Sequence, residues 1–218
     1  MKIGTDGVLL GAWANQAGGE NPMKILDIGT GTGLILLMLA QRFPEAELTG
    51  IEIDKDSFGE ARLNVSQSKF QQRISVLHSS LQNFLSDKKF DLIVSNPPFF
   101  ELTHKEDSPR NTARQQSDLT FEELIFHSKR LLAEKGKLSV IIPYESEMNF
   151  ITIASKHKLF PEKIMRIKGN ETTPVKRSLL LFSRNKPIPE TSELTIEISR
   201  NVYTKEYIGL TKDFYLKM

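Results

Sequence analysis

The 218-residue chain has no cysteine. Disulfide staples, thiolate metal sites and cysteine nucleophiles are therefore excluded, and the composition fits a reducing compartment, so a cytoplasmic protein is expected. No apolar run is long enough to cross a bilayer as a helix, and the run at 34–40 is at most a buried helix. The opening stretch MKIGTDGVLLGAWANQ carries one Lys, a short apolar run and an Ala12-Trp13-Ala14 triplet that mimics a cleavage site. Asp6 and two glycines interrupt it and no basic cluster precedes it, so it does not read as a secretion signal. Internal repeats and low-complexity segments are missing too.

The chain also lacks a surplus of charge, with a formal net value of +2. Apolar content of 39% and charged content of 26% are those of an ordinary globular protein, and the length suits one domain with a small appendage. Charge is unevenly spread, however. Between Lys156 and Lys186 nine Lys or Arg residues stand against Glu162 and Glu171. Such a stripe suits a phosphate backbone, although lysines along a solvated sheet edge, where they discourage strand pairing, would look the same.

From Met23 onward, apolar blocks alternate with helical patterns. KILDIG, ELTGIEID, RISVLH, FDLIVS and KLSVIIP read as five strands. GLILLMLAQRF, ended by Pro44, and KDSFGEARLNVSQSK read as helices between them. LTFEELIFHSKRLLAEKG reads as a further helix, with Thr120 as N-cap, Glu123 in the capping-box position and Gly136 just past its end. The pattern predicts an α/β fold with a doubly wound, mostly parallel sheet. KIMRIKG and RSLLLFSR are joined by a polar linker too short for a helical crossover, so they should form an antiparallel hairpin at the sheet edge. The expected organisation is a single domain over 1–218, with a core at about 22–186 and a short C-terminal α/β extension at about 187–218.

Two motifs suggest chemistry. LDIGTGTG sets Asp27, Gly29, Gly31 and Gly33 between the first strand and its helix, where glycines let the backbone turn and a ligand approach. An acid two residues before the first glycine would repel a pyrophosphate and favour a ligand bearing an ammonium and a sulfonium. Glu52 ends the second strand, where its two oxygens can accept from both hydroxyls of a ribose. Asp54 reads as the N-cap of the next helix. The second motif, NPPFF, begins with Asn96 at the carboxyl end of the fourth strand, where open α/β sheets place their chemistry. Pro97 holds Asn96 extended and Pro98 does the same to Pro97, which fixes the direction of the Asn96 amide and the Pro97 carbonyl. Two such acceptors match the two N–H donors of a planar amino group. Phe99 is then a stacking platform for the ring that carries the amine, and Phe100 reads as core or as a second such platform.

The first motif resembles the S-adenosyl-L-methionine site of class I methyltransferases, and five parallel strands followed by a helix and a hairpin resemble their Rossmann-like topology. The usual acid after the third strand is replaced by LHSSLQNF, so Ser80 or a backbone amide is expected at the adenine edge. NPPF resembles the signature of enzymes that methylate amino groups of adenine, cytosine, guanine or glutamine amide. Beyond it, MKIGTDGVLLGAWA, SPRNTARQQSDLTFEELIFHSKRLLAEKGKLSVIIP and PVKRSLLLFSR resemble the tRNA1(Val) (adenine-N6)-methyltransferase family over nearly the whole chain. The resemblance implies methyl transfer from S-adenosyl-L-methionine to the 6-amino group of an anticodon-loop adenine, with S-adenosyl-L-homocysteine as product and no metal. It implies Thr5 and Asp6 over the methionine end of the cofactor, and Arg110, Arg114, Lys176 and Arg177 against RNA phosphates. A monomer is expected.

That family usually has some aromatic and basic residues ahead of this segment, whereas MKIGTD is residues 1–6 here, and it usually has His where Gln115 follows Arg114. Three other readings compete. A glutamine-amide methyltransferase of release factors shares the motif but has an N-terminal helical domain for which the expected chain leaves no room. A DNA or rRNA amino-methyltransferase is a further enzyme reading. A non-catalytic cofactor- or RNA-binding protein is the last, and would be expected to have lost Asn96 or the glycines.

Overall fold

The computed structural model describes residues 4–14, 23–98 and 119–215. Phe99, Phe100, Arg110, Arg114 and Gln115 lie outside the described residues. The strands are β1 (Lys24–Ile28), β2 (Glu47–Glu52), β3 (Ile74–His78), β4 (Phe90–Ser95), β5 (Leu132–Pro143), β6 (Phe160–Asn170), β7 (Val175–Ser183), β8 (Glu190–Ser199) and β9 (Val202–Tyr203). The helices are α1 (Thr5–Trp13), α2 (Leu34–Arg42), α3 (Lys55–Ser66), α4 (Phe121–Leu131), α5 (Glu147–Lys156) and α6 (Lys205–Thr211). Among the described residues one nine-stranded sheet has the order β3-β2-β1-β4-β5-β7-β6-β8-β9. β1 to β5 are mutually parallel, as the alternating sequence pattern predicts.

Central strands are buried on both faces, which is why KILDI and FDLIVS are nearly continuous in apolar residues. On one face Ile25, Leu92, Val94 and Ile141 pack with Leu9 and Leu10 of α1 and Leu36 and Leu39 of α2. On the other face Ile93, Val140, Ile142 and Phe182 pack with Leu124 and Ile125 of α4 and Phe150 of α5. Burying one such side chain stabilises by about 1.5 to 3 kcal/mol, so the two layers hold the sheet's central strands firmly in place.

The glycines of α1 that interrupt its apolar run are its contact face. A Cβ at Gly11 would lie 2.7 Å from Met38 Sδ, and one at Gly7 3.3 Å from Leu34, so their absence lets α1 lie close against α2. The α2 helix stops at Arg42, one residue before the residue that precedes Pro44, because a residue before proline is disfavoured in the helical region. Arg73 donates to the carbonyls of Ala40, Phe43 and Ala46 and satisfies that helix end.

Two expectations need correction. The helix after the motif begins with the predicted capping box of Thr120 and Glu123, but it ends at Leu131 and not near Gly136. β5 starts at once, with Phe90 paired to Leu132 and Leu92 to Lys137, so residues 133–136 bulge between consecutive pairs. Gly136 serves this close approach: a Cβ there would sit 2.7 Å from the Phe90 carbonyl oxygen. The last helical carbonyls are satisfied instead by Arg184, which donates to Lys129 and Leu132, and by Lys89, which donates to Arg130. The hairpin forms antiparallel as predicted, but it is not at the edge. β7 pairs with β5, and β8 pairs parallel to β6, covering it. Leu179 to Phe182 of β7 are buried, so an edge position would have exposed them.

Candidate active site

Asp27, Glu52 and Asn96 come together because β1, β2 and β4 are neighbours whose carboxyl ends lie on one edge of the sheet. In this register Ile28 pairs with Ser95, and the Ser95 hydroxyl donates to the Ile28 carbonyl at 2.9 Å, which ties the two strand tips together. Alternation along paired strands puts Asp27 and Asn96 on the sheet face covered by α1 and α2, the face of Ile25 and Val94.

The glycine loop adopts the backbone its composition permits. Gly29, Gly31 and Gly33 have φ of 69, 57 and 82°, the left-handed region that side chains resist. The N–H groups of Gly29 and Thr30 both donate to the Ile51 carbonyl at 3.0 Å, folding the loop onto the end of β2.

Asp27 is fully buried. Its Oδ2 accepts from the Thr30 hydroxyl at 2.6 Å, while its Oδ1 is buried without a partner. Burial pushes its carboxyl up to about 7, the Thr30 hydrogen bond opposes this, and the charge of nearby Glu52 adds to it. A carboxylate held out of water with an open acceptor site fits a cationic ligand. Glu52 differs from expectation. Its Oε1 accepts from the backbone N–H groups of Ile53 at 2.8 Å and Asp54 at 2.9 Å, and its Oε2 accepts from Gly31 N–H at 2.8 Å. The carboxylate thus clamps the glycine loop to the β2–α3 turn, and an acceptor position remains open on Oε2 only. Asp54 caps α3 as predicted, accepting from Ser57 N–H at 2.8 Å.

The second orphaned acceptor belongs to the NPP corner. Asn96 is half-buried, its Oδ1 is buried without a partner, and Pro97 beside it is buried. An unpaired buried acceptor costs about 1 to 3 kcal/mol, so two at one end of the sheet mark places where N–H donors would be welcome. At the end of β3 the Ser80 hydroxyl is used by its own turn, accepting from Asn83 N–H at 3.3 Å. His78 stacks on Phe58 at 5.2 Å with Nε2 2.9 Å from the Ile53 carbonyl, which holds the turn beside Glu52.

Thr5 is exposed, whereas Asp6 is half-buried and accepts from Arg177 Nε at 2.8 Å. Arg177, expected among the phosphate contacts, thus ties the first turn of α1 to the start of β7. Lys176, next to it, is exposed. Much of the basic stripe is similarly engaged. Lys163 meets Glu190 at 3.1 Å and Lys168 meets Glu193 at 2.7 Å, both across the β6–β8 pairing, and Arg166 meets Glu147 at 2.7 Å. Sequence reading missed Thr30 as the partner of Asp27, although it stands inside the glycine motif; nothing local announced the Asp6–Arg177 pair. Among the described residues no group of His, Asp and Glu could hold a metal ion, and no helix is long and apolar enough to cross a membrane.

Nine strands in this order with helices on both faces, a glycine loop after β1, an acid ending β2 and NPP after β4 define the class I methyltransferase fold. Its fold neighbours agree: a crystal structure described as a predicted O-methyltransferase from Agrobacterium tumefaciens superposes with a TM-score of 0.73, covering 95% of this chain and 96% of that one at 20% identity. A glycopeptide N-methyltransferase crystallised with S-adenosyl-L-methionine superposes with a TM-score of 0.57 over 78% of this chain and 89% of that one at 10% identity. Residues 8–159 match the methyltransferase small domain family. A Flavobacterium psychrophilum protein named tRNA1(Val) (adenine(37)-N6)-methyltransferase is 50% identical over 221 residues, spanning 100% of this chain and 94% of that protein. The chain belongs to the tRNA1(Val) (adenine(37)-N6)-methyltransferase family.

Proposed function

We propose that this protein transfers the methyl group of S-adenosyl-L-methionine to the exocyclic N6 amino group of adenine 37 in the anticodon loop of tRNA1(Val), in the cytoplasm and as a monomer. The observation that carries the reading is the orphaned Asn96 Oδ1 at the corner of a chain that matches tRNA methyltransferases end to end. Bound at the glycine loop, the cofactor supplies a methyl group on a sulfonium. Asp27 Oδ1 accepts from the cationic methionine end, Glu52 Oε2 from a ribose hydroxyl, and Thr5 and Asp6 in the first turn of α1 close over that end. Ser80 belongs to the turn beside the adenine, where backbone groups do the binding.

The target nitrogen is a poor nucleophile because its lone pair is delocalised into the ring. Asn96 Oδ1 and the Pro97 carbonyl accept from its two N–H groups and favour a tetrahedral nitrogen whose lone pair points at the methyl carbon. Phe99 is the residue assigned to stack on the adenine, and Arg110, Arg114 and Lys176 are those assigned to RNA phosphates. The bound cofactor would supply the methyl group as its S–C bond gives way to the new N–C bond, which would leave S-adenosyl-L-homocysteine and pass a proton to water. Asn96 is not a base. Positioning contributes the larger share of the effect, since good orientation alone is worth about 7 to 11 kcal/mol.

The test is to incubate the protein with methyl-labelled cofactor and bulk tRNA, digest the RNA and separate its nucleosides. Label is expected in N6-methyladenosine of tRNA1(Val). Label in protein and none in RNA would overturn the reading in favour of glutamine-amide methylation.

A further inference from the structure

At the carboxyl end of β5 the chain turns through Tyr144, and this residue is built into an arrangement that the transfer reaction does not use. Val140 pairs with Ser95 in the parallel β4–β5 register. Asn96 is one residue beyond that pair and Tyr144 four, so Tyr144 lies one strand to the side and no more than about 10 Å further out on the same edge of the sheet.

Tyr144 is 40% exposed. The Arg166 guanidinium carbon lies 5.5 Å from the centre of its ring. Arg166 is in turn gripped at two points, with Nη2 donating to Glu147 Oε1 at 2.7 Å and Nε to Oε2 at 3.2 Å. The Glu147 side chain is only 3% exposed and also accepts from the Ser178 hydroxyl. Burying the carboxylate costs desolvation that its attraction to a half-exposed guanidinium offsets only in part, so the pair is a modest source of stability. What the chain of contacts does achieve is a fixed ring. Buried Glu147 orients Arg166, Arg166 backs the ring of Tyr144, and the ring is left partly open to solvent just past the carboxyl end of β5.

We propose that Tyr144 is a stacking platform for a nucleotide base flanking the target adenine, with Arg166 and Glu147 as the residues that position it. The inference rests on the reading that the substrate is RNA. Drawing one base into the cleft at Asn96 unstacks its neighbours, and a rigid aromatic ring at this distance gives one of them a new face. Stacking is tolerant of base identity, so the platform contributes affinity and holds the loop open without reading sequence.

The experiment uses the full chain, an anticodon stem-loop RNA, and the variants Tyr144→Ala and Tyr144→Phe. Two signals are followed: methyl transfer to the target adenine, and the fluorescence of 2-aminopurine placed at either neighbour of that adenine. For Tyr144→Ala the KM for RNA should rise by about five- to a hundred-fold, the range of one base–aromatic stack. KM for the cofactor and the melting temperature should stay unchanged. Tyr144→Phe should behave as wild type, and quenching of 2-aminopurine at one neighbour should be lost only in Tyr144→Ala. An RNA KM within two-fold of wild type in Tyr144→Ala, or equal damage from Tyr144→Phe, overturns the platform while leaving tRNA methylation standing. A wild-type protein that transfers no methyl to any RNA overturns the substrate reading, and the platform with it.

Discussion

At the carboxyl ends of β1, β2 and β4, Asp27, Glu52 and Asn96 are buried or half-buried and keep acceptor atoms open, two of them with no partner at all. Along β6 and β7 the opposite holds: Lys163, Arg166, Lys168 and Arg177 are exposed or half-exposed, and each meets a carboxylate. The parallel half of the sheet therefore holds unspent hydrogen-bonding capacity, while the antiparallel half has largely neutralised its own charge. The difference teaches that a local motif is a better guide to a site than a run of like charges. A motif's residues are set by the strand and turn they occupy, but a run's effect depends on what the rest of the chain places opposite it.

The comparison can be broken at its strongest point first. Asn96→Ala should lower the methyl-transfer rate by about 10²- to 10³-fold, as loss of a transition-state hydrogen-bonding group does, with cofactor affinity nearly unchanged. Single-turnover kinetics beside calorimetric titration of the cofactor would check it. A mutant that turns over like wild type would remove the reacting corner from the contrast.

Asp27 comes next. In the folded protein its carboxyl is raised from 3.8 to about 7, so its contribution to stability is complete below the ordinary value and is lost as pH climbs through about 7. A cationic ligand needs the carboxylate, so below about 7 its binding must expel a proton. Cofactor affinity should accordingly rise with pH up to about 7 and then level off, while the rate at saturating cofactor shows no such step, since Asn96 does not titrate. Asp27→Asn should flatten that profile and weaken cofactor binding by about ten- to a hundred-fold, the range of a hydrogen bond to a charged group.

Lys176 and Arg177 are adjacent on β7, one exposed and the other paired with Asp6. Arg177→Ala, by freeing the first turn of α1, should raise the cofactor KM a few-fold and leave the salt dependence of tRNA binding alone. Lys176→Ala should leave the cofactor KM alone and lower the slope of log affinity against log salt by about one. The smallest effect is expected from Glu190→Gln combined with Glu193→Gln. Releasing Lys163 and Lys168 should tighten tRNA binding slightly at low salt and change the stability by less than about 1 kcal/mol, because both pairs are partly exposed.

Legibility follows the same division. The five parallel strands, the Thr120–Glu123 capping box and the Asp54 cap were readable because each is encoded within a few neighbouring residues. The left-handed glycines were readable for that reason too. The end of α4 was not, since the residue that looks like its cap, Gly136, is needed by β4 across the bulge, and an arginine from beyond β7 closes the helix. Glu52 was recognised at the right position, but its backbone partners were not. Its acceptors go mostly to backbone groups of two turns, one of them 21 residues away.

The sequence by itself determined the layered α/β architecture, the glycine turn, the acid before it and the stiff Asn96–Pro97–Pro98 corner, because strand periodicity, glycine freedom and proline restriction all act within a few residues. Which charges stay available depends on how distant segments pack. Asp6 and Arg177 meet across 171 residues, and β8 brings its glutamates to the lysines of β6 by pairing with them. Charge acts through space with an energy fixed by distance and burial, and neither is written in the order of residues along the chain.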